Sequence, residues 1–80
     1  MAKTNWYNEN IVITESIPEF LENMIKDLEE FDRKADEISY YSLFDAVEMQ
    51  SKKEYNNKHI SYETYTKILK KYGGIVLWLN

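Results

Sequence analysis

Cysteine is absent from this 80-residue sequence, and histidine occurs once, at position 59. The absence of cysteine excludes disulfide bonds and thiol chemistry. His59 has no second histidine and no suitably placed serine, so the sequence offers neither a zinc ligand set nor a catalytic dyad. We therefore expect a protein that is not an enzyme, has no catalytic residues and holds neither a metal ion nor a cofactor.

Glycine and proline are also scarce, with two glycines and one proline. Gly73 and Gly74 follow a predicted helix and do not open one, so they do not form a phosphate-binding loop. The alternating Asp and Asn pattern of a calcium loop is missing. The many carboxylates fall on the solvent face of a predicted helix, whereas acid–base catalysis requires a desolvated carboxyl group.

Long apolar runs are missing as well. The N-terminal segment lacks the apolar core of a secretory signal peptide, and no run approaches the roughly 20 residues of a membrane-spanning helix. We expect a cytoplasmic protein that does not enter membranes. Charged residues make up 30% of the chain and hydrophobic residues 44%, which is typical of a globular protein and not of a disordered one.

Aromatic residues, in contrast, are abundant, and seven of them are tyrosines. A chain of this length forms one domain, residues 1–80, and buries only roughly 60–65% of its unfolded surface. Aromatic side chains must therefore fill much of a thin core. Tyrosine suits the half-buried edge of such a core because its hydroxyl group stays polar.

The longest patterned segment is residues 16–38, the first predicted helix. Its apolar residues recur in steps of three and four, which places them on one helical face. They are Ile17, Phe20, Leu21, Met24, Ile25, Leu28, Phe31, Ala35 and Ile38. Ser16 and Glu19 have the spacing of a capping box, and Pro18 falls in the first turn. A helix of this length would span roughly 30 Å, so the remaining elements should pack along it.

Two shorter helices are predicted in the second half of the chain. Residues 42–54 form the second helix, with either Ser39 or Ser42 as its N-cap. Residues 61–72 form the third helix, with Ser61 as its N-cap. Gly73 directly follows the third helix and is free to take the positive φ that often ends a helix.

The two ends of the chain are predicted to contain strands. Residues 1–10 read as a polar tail that docks on the body through Trp6 and Tyr7, whereas residues 11–15 and 75–79 are β-prone. Because a strand must pair, these two segments would form a two-stranded ribbon, or residues 75–79 would pair with a second copy to give a homodimer. The predicted fold class is thus an α-rich small single domain of the α+β type, with three helices around the long amphipathic first helix.

Charge is distributed unequally along the chain. Residues 1–50 carry twelve acidic and four basic side chains, a net charge of −8, whereas residues 51–80 carry two acidic and six basic side chains, a net charge of +4. The acidic face of the first helix is either a solvated surface or a docking surface for a basic protein, since regularly spaced acids resemble a strand of phosphates. The predicted protein-binding residues are Glu22, Glu29, Glu30, Asp32, Asp36, Glu37, Tyr40 and Tyr41. This interpretation predicts a small non-enzymatic interaction module that binds a basic macromolecular partner through the acidic helix face, and inhibition of that partner is one role that such binding can have.

The basic half supports an alternative prediction, a small helix-turn-helix regulator that binds nucleic acid. Its candidate contact residues are Lys52, Lys53, Lys58, Tyr62, Thr66, Lys67, Lys70 and Lys71. Two features argue against this alternative. The turn over residues 53–60 is long for the motif, and the only arginine, Arg33, lies outside the region although arginine makes the commonest specific contact with a base.

Overall fold

The computed structural model describes residues 6–73 of the protein and contains three helices. They are α1 (Glu19–Arg33), α2 (Glu37–Asn56) and α3 (Tyr62–Tyr72). α1 packs on α2, and α2 packs on α3. The prediction of a small, mainly helical protein is confirmed.

The described part of the chain, residues 6–73, contains no β-strand, so the predicted strand over residues 11–15 is wrong. The β-branched side chains do keep this segment out of helical conformation, but a strand also needs a hydrogen-bonded neighbour. The segment instead contacts α3 through a side chain, because the Glu15 carboxylate accepts a hydrogen bond of 3.0 Å from the Thr64 hydroxyl group. The other predicted strand, residues 75–79, lies outside the described residues, and so do the ribbon and the dimer contact predicted for it.

Helix α1 begins later than predicted and without the capping box. Pro18 is its N-cap, with φ −56° and ψ 142°, and no side chain caps this end. A cap at Ser16 would require Ile17 to be helical. A residue that precedes proline is disfavoured in that conformation, because the proline ring clashes with its backbone.

Helix α1 also ends earlier than predicted, at Arg33 and not at residue 38. Ala35 adopts a left-handed conformation with φ 58°. The Ala35 N–H donates to the Asp32 carbonyl at 3.0 Å, and the Asp36 N–H donates to the Phe31 carbonyl at 2.9 Å. These two bonds form a Schellman motif, in which glycine usually occupies the left-handed position. The chain therefore turns at an alanine that the apolar pattern had assigned to the helix.

Helix α2 starts at Glu37 and not at residue 42, because Asp36 is its N-cap. The Asp36 carboxylate accepts a hydrogen bond of 3.2 Å from the Ser39 N–H. The helix continues to Asn56, past the predicted end at residue 54. It closes in a second Schellman motif, in which Lys58 has φ 64° and the His59 N–H donates to the Glu54 carbonyl at 2.8 Å.

Helix α3 has nearly the predicted bounds, and its cap is confirmed. The Ser61 hydroxyl accepts a hydrogen bond of 3.1 Å from the Thr64 N–H. Its C-cap is Gly73, but the predicted positive φ is wrong, since Gly73 has φ −73°. A helical φ at this position needs no glycine.

The core receives side chains from all three helices and from the residue before the α3 cap. Its buried apolar members are Leu21, Ile25, Leu28, Tyr40, Phe44, Val47, Ile60, Ile68 and Tyr72. The apolar stripe of α1 is only partly used. Phe20, one of its predicted members, is 64% exposed, and Ile38, which belongs to α2, is 83% exposed.

The N-terminal segment crosses the helices and joins two of them. The Trp6 N–H donates to the Asp32 carboxylate of α1 at 2.7 Å, and the Asn8 N–H donates to the Lys71 carbonyl of α3 at 2.7 Å. The Trp6 ring contacts Tyr40 edge-on, with the ring centroids 5.3 Å apart. These contacts place Trp6 and Tyr7 against the core, as the sequence predicts.

Candidate functional site

A shallow groove lies between the N-terminal segment and α1. Its volume is about 390 Å³. We name it the acidic groove, because four of its seven lining residues are carboxylates; the lining residues are Tyr7, Glu9, Lys26, Glu29, Glu30, Asp32 and Arg33. The groove exists because the N-terminal segment places Tyr7 and Glu9 beside a helix that already carries acids one turn apart.

Two carboxylates of the acidic groove are held by hydrogen bonds to distant parts of the chain. Asp32 is only 3% exposed and accepts the hydrogen bond from the Trp6 N–H. The Glu29 carboxylate accepts a hydrogen bond of 2.7 Å from the Tyr72 hydroxyl group. Their negative charges are therefore fixed at the inner side of the groove.

The Tyr7 hydroxyl group reports the negative field inside the acidic groove. Burial raises the pKa of Tyr7, and the charges of Glu29, Asp32 and Glu9 raise it further. A negative field of this kind disfavours a phenolate and favours a cation. The electrostatic field at the Tyr7 hydroxyl group is therefore negative.

The cations beside the acidic groove already have acidic partners. Lys26 lies 3.6 Å from Glu22, and the Arg33 guanidinium is paired with Glu30. The hydrogen bond from Arg33 lowers the pKa of the Glu30 carboxyl and raises the pKa of Arg33. Both pairs are exposed to solvent, so we expect each to contribute little stability and to exchange easily for another cation.

The predicted protein-binding residues divide into accessible and inaccessible ones. Glu22, Asp36 and Glu37 are exposed, and Glu29 and Glu30 are half-buried at the acidic groove. In contrast, Asp32 and Tyr40 are buried, so Asp32 contributes mainly its charge to the acidic groove and Tyr40 presents no surface to a partner.

Tyr41, also predicted to bind protein, is half-buried against Trp6 and Tyr40. Burial raises its pKa, followed by the charges of Glu37 and Asp32. Sequence reasoning missed Tyr7 and Glu9 as members of the acidic groove. The predicted docking of Trp6 and Tyr7 was the signal that could have placed Glu9 near the acidic helix.

Several residues of the predicted nucleic-acid surface are engaged within the protein. Lys67 lies 3.1 Å from the Glu15 carboxylate and 3.5 Å from that of Glu63, and the hydrogen bond with Glu15 raises its pKa. The Thr66 hydroxyl donates to the Glu63 carbonyl at 2.9 Å. The Lys71 ammonium lies 5.5 Å from the centroid of the Tyr72 ring. These three side chains of α3 are therefore less available for binding nucleic acid than the sequence implies.

The remaining members of that predicted surface are exposed. They are Lys52, Lys53, Lys58, Tyr62 and Lys70. The connection between α2 and α3 is stabilised by the Glu54–His59 pair, whose carboxylate oxygen and Nδ1 are 2.6 Å apart. The hydrogen bond with His59 lowers the pKa of the buried Glu54 carboxyl. This pair shapes the turn between the two helices.

Comparison with protein-family models, with curated proteins and with solved structures found no match for the chain. In the part of the chain described, residues 6–73, no three acidic or histidine side chains converge to hold a metal ion. None of the helices in that part combines the length and the apolar character needed to cross a bilayer.

Proposed function

We propose that this protein is a small, non-enzymatic interaction module that binds a basic protein partner through the acidic groove. The observation that carries the proposal is that Glu9, Glu29, Glu30 and Asp32 line one groove. The exposed acids Glu22, Asp36 and Glu37 are the other predicted members of the docking surface.

The ligand group that suits the acidic groove is a guanidinium or an ammonium group. A guanidinium donates two parallel hydrogen bonds to a carboxylate such as that of Glu30, which is stronger and more specific than a single bond. The face of the Tyr7 ring adds a cation–π contact. A partner whose basic surface is occupied in this way can no longer bind phosphates there, and this is the mode of inhibition that we propose.

The test uses a defined probe, a decapeptide of alternating arginine and glycine, with a glutamine–glycine decapeptide as the neutral control. We expect the arginine peptide to shift the backbone NMR signals of Tyr7, Glu9 and Glu30 at low salt and the glutamine peptide to leave them unchanged. Affinity should fall as salt is added, because exposed charges are screened. Shifts spread evenly over all exposed acids would contradict a defined site.

A matched pair of charge reversals separates the acidic groove from overall charge. Glu9→Lys with Glu30→Lys should abolish binding of the arginine peptide. Asp45→Lys with Glu48→Lys changes the net charge equally on the exposed side of α2 and should leave most of the binding intact. An equal loss of arginine-peptide binding in the two double variants would rule out the acidic groove as the binding site. If the first double variant melts early, Glu30→Gln provides the milder change.

The helix-turn-helix regulator is the second candidate function. It is supported by two packed helices joined by residues 57–61 and by exposed Lys52, Lys53 and Lys58 at or near that connection. The engagement of Lys67 with Glu15 weakens it. Fluorescence anisotropy with a labelled mixed-sequence duplex tests it directly. Binding that Lys70→Glu removes would favour this candidate, and no binding at low salt would eliminate it.

A further inference from the structure

Three tyrosines form a continuous aromatic cluster where the end of α2 meets the start of α3. The rings of Tyr55 and Tyr65 are stacked, with centroids 5.4 Å apart and an interplanar angle of 11°. Tyr62 lies edge-on to Tyr55 at 5.5 Å and tilted against Tyr65 at 6.2 Å. We name these residues the tyrosine cluster, and we propose that it binds single-stranded nucleic acid together with the lysines beside it.

One side of the tyrosine cluster packs against the core, and the other side is exposed to solvent. Tyr65 is half-buried against the core, whereas Tyr62 is 62% exposed. Exposed aromatic rings are a surface on which unpaired bases stack, and every base has a face that can do so. Because the three rings already support one another, binding would require little further ordering of side chains.

A second feature lies on the same C-terminal part of α2 as Tyr55. A shallow groove with a volume of about 520 Å³ runs along the outer side of the helix. We name it the lysine groove; its lining residues are Met49, Lys52, Lys53, Asn56 and Asn57. Lys52 lies one helical turn before Tyr55, and Asn56 directly follows Tyr55, so groove and cluster share one end of α2. Ammonium groups bind phosphates, and amide groups both donate to and accept from base edges.

The charge of this region complements a polyanion. Residues 51–73 carry six lysines and two glutamates, a net charge of +4. Both glutamates are occupied, Glu54 by His59 and Glu63 by Lys67. Within residues 6–73, no ion pair involves Lys52, Lys53 or Lys58, whereas Lys26, Arg33, Lys34 and Lys67 all have acidic partners. Lys52, Lys53 and Lys58, near the tyrosine cluster in the chain, are thus among the cations without acidic partners in this described part, as are Lys70 and Lys71 of α3.

A single strand suits this surface better than a duplex or a peptide. In a duplex the faces of the bases are hidden, so tyrosine rings gain nothing from it. A proline-rich peptide can pack on aromatic rings, but it is neutral and would leave the lysines without a partner. With no arginine in the region, we expect little sequence preference. The proposal is independent of the acidic groove, which lies on a different surface of opposite charge.

The first test is fluorescence anisotropy with a fluorescein-labelled oligothymidylate of about 12 nucleotides, within the usual range of single-strand sites. We expect binding at low salt. The logarithm of the affinity should fall linearly with that of the salt concentration, with a slope of about −0.7 for each phosphate contacted. A labelled duplex of the same length should bind more weakly.

Variants of Tyr62 separate stacking from structure. Tyr62→Ala should weaken binding about 5- to 150-fold, as expected for the loss of one stacked base. Tyr62→Phe keeps the ring and should bind like the unmodified protein. Phe20→Ala removes an equally exposed ring from α1 and should have no effect. Tyr62→Leu, which keeps apolar area without an aromatic face, should bind as weakly as Tyr62→Ala, and circular dichroism checks that each variant is folded.

The salt dependence of oligothymidylate binding tests whether Lys52 and Lys53 contact the phosphates. Lys52→Gln with Lys53→Gln should make the salt slope shallower by about 1.4, since two phosphate contacts are lost. Lys26→Gln with Lys34→Gln removes the same charge from α1 and its C-cap and should leave the slope unchanged.

Four results would overturn the proposal. They are the absence of binding at the lowest salt, unchanged binding by a folded Tyr62→Ala variant, preference for the duplex, and capture of a proline-rich decapeptide without capture of the oligonucleotide.

Discussion

The Tyr40 hydroxyl group donates a hydrogen bond of 2.8 Å to the carbonyl oxygen of Tyr72, 32 residues further along the chain. Tyr72 in turn donates from its own hydroxyl group to the Glu29 carboxylate at 2.7 Å. The two bonds link α2 to α3 and α3 to α1. Burial raises the pKa of both tyrosines, which keeps the hydroxyl groups protonated and able to donate.

Tyr40→Phe should destabilise the protein by roughly 1–3 kcal/mol, because the carbonyl of Tyr72 loses a buried donor. The measurement is the urea midpoint, with an unchanged slope as evidence that the fold is intact. Tyr62→Phe is the matched control, since its hydroxyl group is on an exposed side chain, and it should be neutral. Equal midpoints for Tyr40→Phe and the unmodified protein would mean that the bond contributes nothing.

Ala35→Gly should stabilise the protein by about 0.5–1 kcal/mol. Ala35 has φ 58°, a conformation that an L-residue adopts at a cost and glycine adopts freely, although glycine also loses more chain entropy on folding. The melting temperature should rise by roughly 2–8 °C for a chain of this size. Ala46→Gly, in the middle of α2, should instead lower it. A drop for both variants would show that Ala35 is not strained.

Lys58→Gly should also raise the melting temperature, since Lys58 occupies the equivalent left-handed position at the end of α2 with φ 64°. The same change removes a lysine near the tyrosine cluster. We therefore expect higher stability and weaker oligothymidylate binding in one variant. Stability and binding that rise together would argue against a role for this lysine.

The interactions of the Glu15 carboxylate with Thr64 and Lys67 of α3 should weaken at low pH. A hydrogen bond from its own backbone amide, together with those from Lys67 and Thr64, lowers the pKa of the Glu15 carboxyl from 4.5 to about 2. A depressed pKa means that the carboxylate stabilises the fold fully above pH 4.5. This contribution is lost as the pH falls towards about 2.

The measurement is the difference in urea midpoint between the unmodified protein and Glu15→Gln. The difference should be largest near neutral pH and vanish at the acid end of that range, because both side chains are then uncharged. A difference that stays constant with pH would assign the effect of the variant to packing and not to charge.

Leu28→Ala should cost roughly 2–5 kcal/mol, because Leu28 is fully buried in the core between the helices. This is a large part of the stability of a small domain. Phe20→Ala, on the exposed side of α1, should change stability by less than about 0.5 kcal/mol. Thermal unfolding of both variants checks the assignment. A comparable loss in Phe20→Ala would mean that the buried face of α1 is assigned wrongly.

A helix boundary was predicted accurately where residues within a few positions of it mark it clearly in the sequence. Helix α3 was predicted closely because Ser61 caps it through a residue three positions away. The border between α1 and α2 was missed because the apolar spacing runs on through Ala35 to Ile38, and no glycine marks the turn. Asp36 followed by Ser39 was the overlooked cap signal.

The sequence predicted which charged residues belong to the candidate site, but it did not predict which of the site residues are buried. Glu22, Glu29 and Glu30 follow from helical spacing, and so does the excess of lysine in the second half. That Asp32 and Tyr40 are buried does not follow, because both are covered by Trp6, which comes from a segment far away in sequence.

The sequence by itself determined three helices, two regions of opposite charge and a core that includes aromatic side chains, because spacing, caps and composition act over a few residues. The tertiary structure decided which faces are buried and where grooves form. The Trp6–Asp32 bond spans 26 positions and the Thr64–Glu15 bond spans 49. Contacts at such separations depend on how whole helices pack, and packing is a collective result of many side chains that no local pattern encodes.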